Sequence, residues 1–415
     1  MTERLDPARE AWMTAPATRA VLAALTSDGT DARFVGGAVR NALLGAPVAD
    51  IDIATPLPPD EVARRLTGAG LEAVPTGIAH GTITAVAMGK PVEVTTLRRD
   101  VTTDGRRATV AYTTDWEEDA RRRDFTMNAI FAAPDGEIFD PANGIADLKA
   151  GRVRFVGDPV TRIREDYLRI LRLFRFHAWY GRGEIERAAL AAATAEKGGL
   201  AQLSGERVRT EILKLLAAPN PGVALRAMAA TGILAEILPW NLSLARLQKL
   251  VAIDKANFFA PDAVLRLAAL LPADEAVARA CADRLKLSNA ERARIRAVAT
   301  ATAKIVSYLS IREVRKLLYR LGAGPFKDLV FLRWAEDPRE SSAMQWRALL
   351  ALADAWERPE FPLDGKDVMV AGVKEGPLIG KILAEVEDWW IDSDFTDDRF
   401  SLIERLKAVV QAVAY

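Results

Sequence analysis

The chain has 415 residues, half of them hydrophobic and 27% charged, with 56 basic against 56 acidic side chains and a formal net charge of zero. That length calls for two to four packed units, and the balanced charge lacks the basic surplus of a strong phosphate binder, so any polyanion contact must use a local stripe such as the arginines clustered between Arg98 and Arg182. A single cysteine, Cys281, excludes an intrachain disulfide, and two histidines, His80 and His177, exclude a histidine-rich metal site, leaving carboxylate oxygens to hold any catalytic metal, which points to magnesium or manganese.

The first thirty or so residues are charged and lack an apolar signal core, and no later apolar run is long enough to span a bilayer. A reducing cytoplasm is the expected setting, with no membrane and no disulfide partner. Arg33 to Val35 then reads as a short strand, Gly36-Gly37 as a tight turn, and Ala38 to Leu44 as a helix closed by Gly45. Glycine lets a backbone approach a ligand, and a helix start offers free N–H groups and a positive dipole end. The arrangement suits a triphosphate, with Arg40 one turn in as a further phosphate partner; alone, it is also an ordinary strand-to-helix turn. Asp50 and Asp52 alternate with Ile51 and Ile53, the period of a strand with one polar face. Two carboxylates side by side repel, and a divalent cation between them relieves that repulsion.

Thr82 to Met88 and Val92 to Leu97 flank Gly89-Lys90-Pro91 as a hairpin. Glu93, between two valines, is either a third carboxylate beside Asp50 and Asp52 or an outward-facing acid on an edge strand. Arg121 to Arg123 form either a solvated charge run or a phosphate site in which Asp124 orients Arg123 and Asn128 meets a ribose hydroxyl. Beyond about residue 158 the pattern is almost wholly helical. In the helix expected over 163–176, Asp166, Arg169, Arg172 and Arg175 recur every third position along one slowly drifting stripe. They make either surface salt bridges or a hydrogen-bonding edge for a base, with the Asp accepting from an amino group and the Arg donating to a ring nitrogen or carbonyl. Ala217 to Gly222 and Glu357 to Pro362 read as breaks between helical units. The expected fold class is therefore α+β: a head with a small mixed β-sheet and flanking helices, followed by a long all-α remainder.

Taken in order, GGAVRNALLG, DID, VEV, RRDFTMNA, DPANGIADL, REDYLRILRLFRF and SGERVRTEI resemble the class II CCA-adding tRNA nucleotidyltransferases and bacterial poly(A) polymerases of the polymerase-beta-like superfamily. The resemblance covers residues 33–216 and continues faintly in LDGKDVMVAGVKEGPLIGKIL, 363–383. It implies a catalytic head (1–145), a neck with a nucleotide-template helix (146–217), a body (218–357) and a tRNA-binding tail (358–415). It implies template-independent addition of C, C and A to the tRNA 3′ end from CTP and ATP, releasing pyrophosphate, with two Mg2+ ions or Mn2+ as cofactor. Carried over by position, Asp50 and Asp52 would be metal ligands and Glu93 the third catalytic carboxylate. Gly37, Arg40 and Arg123 would bind the triphosphate. Asp166 and Arg169 would be the protein template, with Arg172 and Arg175 supporting base or phosphates. Asp140, Asn143 and Asp147 would hinge head to neck, and Glu206 and Arg207 would steady the template helix.

One position departs from the family: an acid is common where this chain has Asn41, which puts a salt bridge there in doubt. Poly(A) addition is the nearest rival, but the glycine, paired basic residues and Phe usual in those enzymes are missing. TTLRRDVTTDGRRATVAYTTD, 95–115, resembles instead the flexible loop of members that add the terminal A. A noncatalytic RNA-binding relative would not need Asp50 and Asp52, and a small-molecule adenylyltransferase would not need the long helical remainder.

Overall fold

The computed structural model describes residues 3–78, 81–104, 107–374 and 376–413. His80, the Gly105-Arg106 step of the expected loop and Glu375 of the tail segment lie outside the described residues. The chain forms two compact units, Met1–Trp240 with Arg284–Lys286, and Asn241–Asp283 with Leu287–Tyr415.

The first unit opens with helices α1 (Ala11–Thr14) and α2 (Pro16–Leu25), strand β1 (Arg33–Val35), helix α3 (Gly37–Leu43), strand β2 (Asp52–Thr55) and helix α4 (Pro59–Gly68). Strands β3 (Glu72–Gly77), β4 (Thr82–Ala87) and β5 (Lys90–Thr96) complete one half of a seven-stranded sheet. After the ribbon β6 (Arg98–Asp104) and β7 (Arg107–Tyr112) and helix α5 (Trp116–Arg121), β8 (Phe131–Ala132) and β9 (Ile138–Phe139) complete the other half. The order is β3-β4-β5-β2-β1-β8-β9, and β2 with β5 is its parallel pair.

Period-two burial decides the faces. Ile83 and Ala85 on β4, Val92 and Val94 on β5 and Ile53 on β2 are buried, and helices α2 and α4 pack against this half of the sheet. Thr84, Glu93 and Asp52, successive partners in register, therefore share the opposite face. The far end of that face is closed by Val35, Ala54, Leu97, Phe131 and Val156, with Trp116 packed against them. Asp52 stands where the cover stops.

Two expectations change. The segment 95–115 is largely an antiparallel ribbon rather than a loop. Its Thr-Thr and Thr-Val steps are β-branched, which favours pairing. The helix expected over 163–176 is broken: α6 (Gly144–Ala150) is followed by α7 (Pro159–Glu165) and then α8 (Leu168–Tyr180). Asp166 between them takes an extended backbone, φ −157° and ψ 106°, and its carboxylate accepts from the Leu168 N–H at 3.1 Å. A short acid gains more as a cap than inside a helix, so the chain restarts there. Helix α8 buries Ile170, Leu171, Leu173, Phe174 and Phe176. After α9 (Arg187–Ala195), helices α10 (Gly205–Leu216) and α11 (Gly222–Ala230) pack against it.

The second unit is helical, from Leu244–Asn257 to Arg399–Val413. One core gathers Phe326, Val330, Trp334 and Trp346, and another gathers Val368, Val386, Trp390 and Leu402. Cys281 is buried and forms no disulfide. Among the described residues no helix is long and apolar enough to cross a membrane.

Candidate active site

The parallel pairing of β2 with β5 sets Asp52 directly opposite Glu93. Asp50 lies two residues earlier, just outside the strand, and the intervening Ile51 carbonyl accepts from the Glu93 N–H at 3.0 Å. Strand β5 is interior to the sheet, so Glu93 is not an edge-strand acid. Among the described residues the three carboxylates make no hydrogen bond or ion pair. Burial pushes the Asp52 carboxyl up to about 6; the Glu93 and Asp50 charges add to the shift, while Arg123 and Arg40 oppose it. Nor, among the described residues, do three acids, histidines or cysteines already close into a metal cage. Asp52 and Glu93 thus share a face, and the charge of Asp50, two residues before the strand, is felt by Asp52; hard oxygen donors of one sign held so close suit a divalent ion.

The glycine turn comes close beside them. Gly36 has φ 69° and ψ −122°, a conformation that side-chain-bearing residues avoid. A Cβ there would stand 3.7 Å from Arg123 Nη1 and 3.9 Å from Asp52 Oδ2. The backbone conformation of the turn thus calls for glycine at Gly36, the residue before Gly37. Gly37 begins α3, and its own Cβ would meet Arg40 Nη2 at 3.7 Å.

Arg40 is buried and fully engaged. Its Nη1 donates to Asn128 Oδ1 at 2.6 Å, and its Nη2 donates to Tyr180 Oη at 2.8 Å and Asn41 Oδ1 at 3.1 Å. Burial lowers its pKa. Asn41 supplies the acceptor that an acid would, without the charge, and its amide also donates to the Pro47 carbonyl at 2.9 Å, which an ionised acid cannot do.

Arg123 is held by Asp119, through Nη2 at 2.9 Å and Nε at 3.1 Å, and not by Asp124. Asp119 is buried, pairs also with Arg122 at 2.6 Å and accepts from the Arg98 N–H at 3.3 Å. Burial alone would raise its pKa, but the Arg123 and Arg122 guanidiniums hold it below the ordinary value, and burial brings Arg122 down to about 10. Asp119→Ala strands two poorly solvated guanidiniums and is expected to destabilise the fold by about 3–5 kcal/mol, measured by urea denaturation. Asp124 instead receives Arg172 at 2.5 Å and the Asn128 amide at 3.1 Å. The Asn128 side chain is therefore occupied by Arg40 and Asp124.

The four residues of the expected stripe divide by role. Asp166 accepts from Arg207 at 2.7 Å. Arg169 pairs with Glu165 and donates to the carbonyls of Arg162 at 2.9 Å and Arg122 at 3.2 Å. Each is thus fixed by its own partners, and the two side chains are not bonded to one another. Arg172 and Arg175 are drawn into ion pairs, with Asp124 and with Glu211 at 2.6 Å, and both lie over the Phe176 ring. Asp140 caps α6, accepting from Gly144 and Ile145 at 2.7 and 2.9 Å, and Asn143 sits left-handed at φ 53°. Buried Asp147 receives Thr126 at 2.9 Å.

Sequence reading missed Asp119, Glu165, Tyr180 and Glu211. The first two stand four residues before Arg123 and Arg169, a spacing that signals a helical pair. The other two are joined to their partners only by tertiary structure.

Residues 32–154 match the poly(A) polymerase head domain, and 184–240 match the probable RNA and SrmB-binding site of polymerase A. The mitochondrial CCA tRNA nucleotidyltransferase 1 of Mus musculus is 35% identical over 392 residues, covering 90% of this chain and 86% of that protein. The CCA-adding enzyme of Streptococcus gordonii is 33% identical over 400 residues, covering 93% and 96%. The Bacillus stearothermophilus CCA-adding enzyme, solved in complex with CTP, superposes with a TM-score of 0.76 at 28% identity over 98% of this chain and 99% of that one.

Proposed function

Because the chain belongs to the class II CCA-adding tRNA nucleotidyltransferase and poly(A) polymerase family, we propose that Asp50, Asp52 and Glu93 are the catalytic acids by which it extends tRNA. The protein adds C, C and A to the tRNA 3′ end from CTP and ATP, without a nucleic-acid template. The observation that carries the site is the unpaired Asp52–Glu93 couple on an open sheet face, with Gly36 and Arg123 within reach.

Asp50 and Asp52 would hold two Mg2+ ions, or Mn2+, with Glu93 facing the primer hydroxyl. Such ions, when bound, make the hydroxyl more acidic and neutralise charge on the departing phosphates. The chain's own groups do the positioning. The Gly36-Gly37 backbone lets the triphosphate lie close to β2. Arg123, aimed by Asp119, neutralises its oxygens, and Arg40 braces the turn from below. The 3′ hydroxyl then attacks the α-phosphorus in line, and the bond to pyrophosphate breaks.

Asp166 offers an acceptor and Arg169 a donor fork, the pairing edge complementary to the Watson–Crick edges of C and A. Arg207 and Glu165 hold that edge in place. Arg172 and Arg175 fix the helix that carries it rather than reaching for the base. The β6–β7 ribbon would serve the terminal A, and residues 358–415 would contact tRNA. We place the division at 145, 217 and 357, and the enzyme in the cytoplasm.

The deciding experiment supplies tRNAs ending before the first C, after C and after CC with labelled CTP or ATP. Ordered incorporation of C, C and then one A is expected. Open-ended A addition to unrelated RNA would assign the chain to poly(A) synthesis instead.

A further inference from the structure

We propose that Tyr180 is a positioning residue for nucleotide choice: its hydroxyl locks the far end of α8 to the glycine-turn helix and so holds Arg169 in register with the catalytic acids. This rests on the template reading of Asp166 and Arg169 given above.

The polar side chains between α3 and α8 form a continuous circuit. Tyr180 Oη accepts from Arg40, Arg40 also donates to Asn128, Asn128 donates to Asp124, and Asp124 accepts from Arg172. Both ends lie on α8. Arg172 and Tyr180 are eight residues apart, about 12 Å along the axis, so the helix is gripped at two points well separated in length. One amide, that of Asn128, serves both grips. A rotation or slide of α8 relative to the carboxylates must therefore break one grip or move both.

Arg169 sits on this helix one turn before Arg172, and its carbonyl contacts run back to Arg122 beside the Asp119 cluster. Its reach toward a base is therefore set by the angle of α8. The Tyr180 grip has two parts. The Arg40 guanidinium lies 4.2 Å over the Tyr180 ring, and the hydroxyl hydrogen bond is 2.8 Å. The ring also stacks on Phe176 at 5.9 Å. Tyr180→Phe removes the hydrogen bond and keeps the ring. Arg40 Nη2 retains Asn41 Oδ1 as an acceptor, so the variant leaves no guanidinium nitrogen of Arg40 stripped of partners.

The test compares wild type and Tyr180→Phe on tRNA ending in CC, measuring kcat and KM separately for ATP, CTP, GTP and UTP. The expected result is an unchanged melting temperature and a roughly tenfold loss of ATP preference over GTP and UTP, carried by kcat; that is the lower end of what one bidentate base contact discriminates. Unchanged preference, or an equal loss for all four nucleotides, overturns the proposal, since a merely structural hydroxyl lowers every rate alike. Arg169→Ala is run alongside. If that variant keeps full selectivity, the template reading itself fails, whatever Tyr180→Phe does.

Discussion

Asp52→Asn is expected to abolish nucleotide addition and, in metal-free buffer above pH 7, to raise the melting temperature of the protein. The Asp52 carboxyl moves from the ordinary 3.8 up to about 6 in the folded chain, chiefly through burial and secondarily through Glu93. A raised acid binds its proton more tightly folded than unfolded, so stability is greatest below 3.8 and declines as pH rises through 6. At about 1.4 kcal/mol per unit, the ionised group above pH 7 costs the fold on the order of 2–3 kcal/mol. Asparagine lacks that charge at every pH. The stabilisation should therefore fade as the buffer is taken toward pH 4, where wild type is also neutral. Adding Mg2+ should reverse the ranking at pH 8, because the ion stabilises only the protein that binds it. Differential scanning fluorimetry across pH, with and without Mg2+, reads all three effects, and a melting temperature lowered at pH 8 without metal would contradict the argument.

Arg169→Ala should leave addition running but degrade its choice. Preference for CTP and ATP over GTP and UTP is expected to fall by roughly 10- to 100-fold, the range of one bidentate base contact. Glu165 then loses one of two arginine partners while keeping Arg162, so the fold should tolerate the change. Misincorporation measured on tRNA ending in C and in CC reads the effect. A variant as selective as wild type would move the template role elsewhere.

The sequence made some of this plain and hid the rest for identifiable reasons. The glycine pair is a local signal, which is why β1, the turn and α3 stand where they were expected; the strand read from the alternation of Ile51 and Ile53 with Asp50 and Asp52 begins only at Asp52, leaving Asp50 and Ile51 outside it. That Glu93 faces Asp52 depends on a parallel pairing across α4, β3 and β4, which no local pattern contains. The stripe from Asp166 to Arg175 has helical spacing throughout, yet the chain departs from helix at Asp166, because its carboxylate caps the next helix and meets Arg207. Spacing also suggested Asp124 for Arg123, its neighbour in sequence. Adjacent residues on a turn point apart, and Asp119, one helical turn back, is the partner.

The β2–β5 pairing has a consequence for biosynthesis. Its facing acids are separated by about forty residues that include a helix and two antiparallel strands. Antiparallel neighbours zip from a short turn, whereas a parallel partner must wait for the whole crossover to be made and closed, a slow, long-range event. A ribosome-bound fragment ending before β5 would carry Asp50 and Asp52 with nothing opposite them. On the catalytic assignment proposed above, the site is completed only as the sheet closes, and a half-made head would not extend an RNA end.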